Sequence, residues 1–197
     1  MNIQLKFAAI LLLAIALSFT ACSGNSGDNP VKPITHAIGD AYGGGKIAYI
    51  LVSGDPGYDP AVQHGLIAAT DDQSTGIVWA IAAYQGTSIT GTLNILGSGL
   101  ANTDKIIAQN GTGITYAAGL ARSYNGGGYT DWYLPSYDEL NKLYLNKAFI
   151  GGFFGFNFYW SSSEHAANEV WYQNFSNGLT GCFTKATTQY VRVVRSF

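Results

Sequence analysis

From Phe158 to its end the chain is written almost wholly as short β-strands, and this feature limits its fold more than any other. Apolar and aromatic runs at 158–162, 169–175, 179–185 and 190–195 follow one another, with Asn177-Gly178 as a hairpin signal between the second and third. A series of that kind needs a sheet with something packed against it. The packing partner is legible upstream, where Pro135 precedes Ser136, Glu139 follows three residues later, and Leu140, Leu143 and Tyr144 recur at helical spacing. This is a capping box opening an amphipathic helix. Further helices are expected near Asn102 or Thr103 and over 114–122, where Ile114, Ala117, Ala118 and Ala121 share a face. Strands are expected at 46–52, 65–70 and 77–81, with a polar loop at 71–75. Helices in the middle and an antiparallel sheet closing the domain make the fold class α+β. The 25 glycines, 14% aromatic and 11% charged residues agree, since they describe a turn-rich chain with few long amphipathic helices.

The N-terminus carries a different signal. Lys6 flanks an apolar run from Phe7 to Phe19, which is signal-peptide length and too short to span a membrane. Phe19-Thr20-Ala21-Cys22 then places small residues before a cysteine, a pattern that resembles the lipobox of bacterial lipoproteins. Residues 1–21 are therefore read as a lipoprotein signal peptide, with Cys22 as the lipidation site. Residues 22–37 follow as a tether of small, polar and helix-breaking residues that cannot bury enough surface to fold, and 38–197 as one domain. A lipid-anchored place in the cell envelope is expected, at the outer membrane and facing outward, with the membrane itself as one partner.

Charge and cysteine usage narrow the partners. The net charge is −2, or −3 once Lys6 leaves, so there is no basic field for nucleic acid. With Cys22 lipidated, only Cys182 remains, and the domain must hold together by packing without an internal disulfide. Cys182 is then either buried and inert or available for pairing between chains, which leaves homo-oligomerisation open.

Gly43 to Lys46 fails as a phosphate loop, because Ile47 follows the lysine and Asp40 stands where the first glycine belongs. The sequence contains no serine nucleophile elbow, no histidine pair at metal spacing and no Asp-rich calcium loop. His36, His64 and His165 lie far apart and read as surface or capped residues. No catalytic residue, cofactor or metal site is expected. Trp132 and Trp160 read as core, Ser161 to Ser163 as a polar strand edge, and Val191 and Val193 against Arg192 and Arg195 as a half-buried closing strand.

Five ordered segments, IGDAYGGGKIAYIL, HGLIAATDDQSTGI, GGYTDWYLPSYDELNKLY, FYWSSSE and YVRVVRSF, together resemble the Lcl C-terminal domain family across 38–197. The resemblance implies a C-type-lectin-like fold, a lipoprotein or adhesin setting, and binding in place of catalysis; the family's named member binds host glycosaminoglycans as a trimer. The Glu-Pro-Asn, Gln-Pro-Asp and Trp-Asn-Asp triplets of calcium-dependent lectins are absent, so the fold alone does not imply a lectin site. Formylglycine-generating enzymes share that fold and work through two cysteines, which makes an enzyme-like domain the less favoured alternative; a structural envelope lipoprotein is another.

For a binding module the C-terminal hairpin is the place to look, because Leu179 to Thr184 breaks the apolar and polar alternation that its neighbours keep. The residues assigned to a ligand-binding face for a glycan or protein are Ala166, Ala167, Asn168, Trp171, Tyr172, Ser176, Asn177, Leu179, Thr180 and Phe183. Tyr172, Ser176, Leu179, Thr180 and Phe183 are expected to converge on one exposed face. Apart from Trp171, these residues also belong to the set that asparagine-codon randomisation by a diversity-generating retroelement can produce. An ordinary edge hairpin of relaxed sequence fits the same residues. The anchor is tested directly: Cys22→Ser should abolish palmitate labelling and release the protein from membranes, and continued labelling of that variant would overturn the lipobox reading.

Overall fold

The computed structural model describes residues 35–155 and 157–197; the signal peptide, Cys22 and most of the tether lie outside the described residues. Among the described residues nine strands form two sheets. The first sheet has the order β1-β2-β3-β9, from β1 (Ala41–Tyr42), β2 (Gly45–Ile50), β3 (Gly65–Ala68) and β9 (Val194–Ser196). The second has the order β4-β8-β5-β6-β7, from β4 (Ser74–Val78), β5 (Phe158–Ala166), β6 (Glu169–Asn174), β7 (Thr180–Thr184) and β8 (Thr188–Val191). Pairing is antiparallel except between β5 and β8. Between the two groups of strands lie α1 (Gly99–Asn110), α2 (Ala117–Ser123), α3 (Tyr137–Leu145) and α4 (Lys147–Ile150). The α+β class holds.

Two apolar cores follow from strand alternation. Ile67 and Trp160 point into a core with Trp79, Ile106, Trp132, Val191 and the alanines of α2; Leu66, Ala68 and Tyr159 point into a second with Leu140, Leu143, Ile150 and Phe175. Trp132 and Trp160 are fully buried, as expected, and each indole finds a carbonyl: Trp132 Nε1 donates to Gly126 and Trp160 Nε1 to Ile77.

The capping box at Ser136 is present in full. The Ser136 N–H donates to Glu139 Oε2 at 2.7 Å and the Glu139 N–H donates to Ser136 Oγ, while the hydroxyl itself donates to the Ile95 carbonyl. A cap of this kind is worth about 1 kcal/mol. Glu139 also accepts from the Gly97 N–H, and a side chain at Gly99 would run into its carboxylate, so α1 and α3 meet only because position 99 is glycine.

Several expectations are corrected. The strand expected at 77–81 starts and ends three residues earlier, at Ser74–Val78, because Trp79 turns inward and its N–H donates to the Lys185 carbonyl. The helix expected from Ile114 begins at Ala117, leaving Ile114 exposed. Ser161, Ser162 and Ser163 are fully buried, not a polar edge: Ser161 Oγ donates to Trp171 O and Ser163 Oγ to Leu93 O, so the hydroxyls satisfy backbone carbonyls that would otherwise be stranded. The closing strand is not half-buried and not one strand. Val191, Arg192, Val193 and Val194 are all buried, and the chain leaves the second sheet after β8 to enter the first as β9.

Arg192 sits at that crossing with no exposed surface. Its Nε donates to Asp72 Oδ1 at 2.7 Å, Nη1 to the Ala69 and Thr70 carbonyls, and Nη2 to the Gly152 carbonyl, with the guanidinium over the Phe153 ring at 4.2 Å. Asp72 also accepts from the Tyr159 hydroxyl at 2.9 Å. Burial pushes the Asp72 carboxyl above its usual range despite the guanidinium beside it, and burial likewise raises the Tyr159 hydroxyl.

Glu139 gives the fold a pH signature. Burial pushes its carboxyl from 4.5 up to about 7, against the opposing pull of the Ser136, Gly97 and Gly99 N–H groups. A carboxyl that holds its proton more tightly when folded contributes stability fully present below the unfolded value of 4.5 and lost as pH rises through about 7. Thermal unfolding should therefore show stability falling across this window, and Glu139→Gln should flatten that slope; parallel profiles for the two proteins would contradict it.

Candidate functional site on the C-terminal hairpin

Strands β6 and β7 pair with Val170 opposite Phe183, Trp171 opposite Cys182, Tyr172 opposite Gly181 and Gln173 opposite Thr180. Their connection is longer than the Asn177-Gly178 pair implies. The Gly178 N–H donates back to the Asn174 carbonyl, Asn174 N–H to the Leu179 carbonyl, and Asn174 Oδ1 accepts from both the N–H and hydroxyl of Ser176. Only Gly178 takes a positive φ, at 80°, and a Cβ there would meet the Tyr144 ring. Phe175, fully buried in the second core, pins the loop from below.

This register divides the expected site residues between two faces. On the inner face Tyr172 and Phe183 stack at 4.2 Å and 18°, Phe158 meets both edge-on at 5.0 and 5.3 Å, and the group packs on the first core. Gly181 is required there because a Cβ would meet the Tyr172 hydroxyl at 2.7 Å. On the outer face lie Glu169, Trp171, Thr180 and Cys182. Tyr172 and Phe183 therefore do not converge with Thr180, because antiparallel pairing sends them to opposite sides of the sheet. Ser176, Asn177 and Leu179 are exposed at the hairpin tip, Leu179 by 67%. Ala167 and Asn168 are exposed and Ala166 half-buried at the β5–β6 turn, the other end of the strands.

Trp171 is the centre of the outer face. The His165 ring meets it edge-on at 4.7 Å and the Tyr137 ring at 5.2 Å, and the Tyr137 hydroxyl lies 3.1 Å from Thr180 Oγ1. Each flank has a local cause. Glu164 pairs with Val170 and Ala166 with Glu169, so His165 is the extra residue of a β-bulge, which aims its ring at this face. Tyr137 is the first residue of α3 after the Ser136 cap, and its N–H donates to Ser163 Oγ. The three rings form a half-exposed row with polar groups along it.

The edge of this face is open. Asn174 N–H donates to Leu179 O and Lys185 N–H to Asn168 O, so the alternation of an antiparallel ladder turns the N–H groups of Gly181 and Phe183 toward β6 and those of Thr180, Cys182 and Thr184 away from it. Among the described residues no other strand pairs with β7. Beside Trp171, His165 Nδ1 is 3.2 Å from Glu169 Oε2, and burial, with the Glu169 carboxylate adding to it, raises the Cys182 thiol above its usual range. Tyr137, His165, Glu169 and Cys182 were not among the expected ligand-binding residues. No sequence spacing links the first turn of a helix to a strand more than thirty positions later, and a bulge leaves no mark in an apolar pattern.

Elsewhere the surface has a concavity of about 260 Å³ lined mainly by apolar residues, among them Leu51, Leu66, Leu96 and Phe197. Its one titratable residue, His64, has Nδ1 3.1 Å from the Phe197 carbonyl.

With this geometry in view, the chain belongs to the Lcl C-terminal domain family, whose model matches residues 68–195. Membership fits a cell-surface, adhesion-related protein. No curated protein sequence matches the chain. A fimbrial protein from Bacteroides ovatus is similar in structure at a TM-score of 0.45 and 17% identity, over 68% of this chain and 36% of that one. The chain thus spans about a third of that protein's length, and a likeness of this degree carries no argument here.

Proposed function

We propose that this protein is a lipid-anchored surface module that recognises an extracellular glycan or protein through the outer face of its C-terminal hairpin. The observation that carries the reading is the half-exposed row of His165, Trp171 and Tyr137 beside the open strand β7. Aromatic rings held by their neighbours offer a large contact area at little entropic cost, and flanking hydroxyls supply direction. Ser176, Asn177, Leu179 and Thr180 extend the face at the tip, whereas Tyr172 and Phe183 serve it as a pedestal. The lectin-like frame and the anchor through Cys22 belong to the same proposal, supported by family membership and by the lipobox pattern.

Beads coated with the protein and applied to epithelial monolayers test the assignment. Tyr137→Ala with Trp171→Ala should abolish attachment while the protein stays folded by circular dichroism. Tyr172→Ala with Phe183→Ala should instead cost stability, about 2 kcal/mol or more, because it removes part of a packed cluster. Full attachment by the folded outer-face variant would overturn the assignment.

A further inference from the structure

We propose that His165, Glu169 and Cys182 form a binding site for one zinc ion on the outer face of the hairpin, independent of any macromolecular ligand. The donor atoms, an imidazole nitrogen, a carboxylate oxygen and a thiol sulfur, all lie within 4.8 Å of one another. Bond lengths of about 2.0 Å to nitrogen and oxygen and about 2.3 Å to sulfur put the ligands of a tetrahedral zinc site roughly 3.2–3.8 Å apart. The gap to be closed is therefore on the order of 1 Å. Rotamer changes supply it, because the His165 and Glu169 side chains are 44% and 40% exposed and so free to adjust.

The backbone presents these donors from three positions fixed by pairing. Cys182 stands opposite Trp171 in the register, two residues along β6 from Glu169, and the bulge in β5 adds His165 from the other side. The imidazole lies edge-on to Trp171, on the face that also carries Glu169 and Cys182. Among the described residues no lysine or arginine neutralises Glu169; its ion-pairing partner is His165 itself. The nearby Lys185 is committed to Glu164 on the inner face and to the Thr87 carbonyl.

The donor chemistry selects the cation. Calcium and magnesium take oxygen ligands, whereas a set of one thiolate, one imidazole and one carboxylate suits zinc. Three protein ligands leave the fourth position on the solvent side, where water completes the coordination. Binding replaces the thiol proton by the metal, so a proton is released to solvent and no oxidant is involved.

The test uses the full chain in detergent, stripped of metal and titrated with zinc chloride by calorimetry, with cobalt(II) as a spectroscopic probe. Saturable binding of one zinc per chain is expected, together with a thiolate-to-cobalt charge-transfer band. Cys182→Ser should remove the band, and His165→Ala and Glu169→Gln should each weaken zinc binding by about tenfold or more. His64→Ala, away from the site, should leave both unchanged. Circular dichroism of the metal-free variants shows that each is folded, and the two exposed positions keep the test valid should Cys182→Ser unfold. Absence of saturable binding, or binding that survives in folded His165→Ala and Glu169→Gln, would overturn the site. Neither result depends on attachment to cells, so the metal site and the recognition surface stand or fall separately.

Discussion

The contact on which the structure depends is the buried pair of Arg192 and Asp72. The chain crosses between the two sheets at residues 69–73, which hold Asp72, and again at residues 192–193, where Arg192 has its guanidinium wholly enclosed. An ion taken out of water is tolerated only when its hydrogen-bonding capacity is met. Arg192 meets it with one carboxylate and the carbonyls of Ala69, Thr70 and Gly152, and Asp72 completes its own set with the hydroxyl of Tyr159. The pair therefore gathers the loop after β3, the loop before β5, strand β5 and the β8–β9 crossing at one point. Removing a single partner from such a pair typically costs about 3–5 kcal/mol, because the other charge is left stranded.

With the sheets fixed, the hairpin becomes a two-sided object. One side is bound to the first core by the stack of Tyr172 and Phe183; the other is closed at its Gln173 end by Asn141 of α3 and by Phe175 in the second core, and is half-exposed around Trp171, His165 and Cys182. This division explains why the sequence from Leu179 to Thr184 breaks alternation. Gly181 is set by the Tyr172 ring that crosses it, and Cys182 by the face it shares with Glu169, so two different demands are interleaved along one strand.

What the sequence made legible was local. The capping box at Ser136, the core positions of Trp132 and Trp160, the strands after Phe158 and the α+β class all rest on short-range patterns, and all appear in the structure. What it hid was long-range. Arg192 reads as a solvent-facing residue of a closing strand because alternation cannot show that the strand changes sheets. Ser161 to Ser163 read as polar edge because nothing local reveals the carbonyls waiting for them. For the candidate site, Trp171 and Thr180 share one face while Tyr172 and Phe183 lie on the other, and Tyr137 and His165 reach the Trp171 face from elements that the hairpin pattern does not include. The errors share one cause, namely that faces are set by register and bulges.

That register is the central claim, and amide hydrogen exchange along β7 tests it most directly. The open-edge arrangement requires alternation, with the Gly181 and Phe183 amides protected by β6 and those of Thr180, Cys182 and Thr184 exchanging fast. Protection of all five amides would show that another strand covers the edge. The reverse alternation would shift the register of β7 by one residue, turn Cys182 inward and away from Trp171, and contradict the assignment of the outer face.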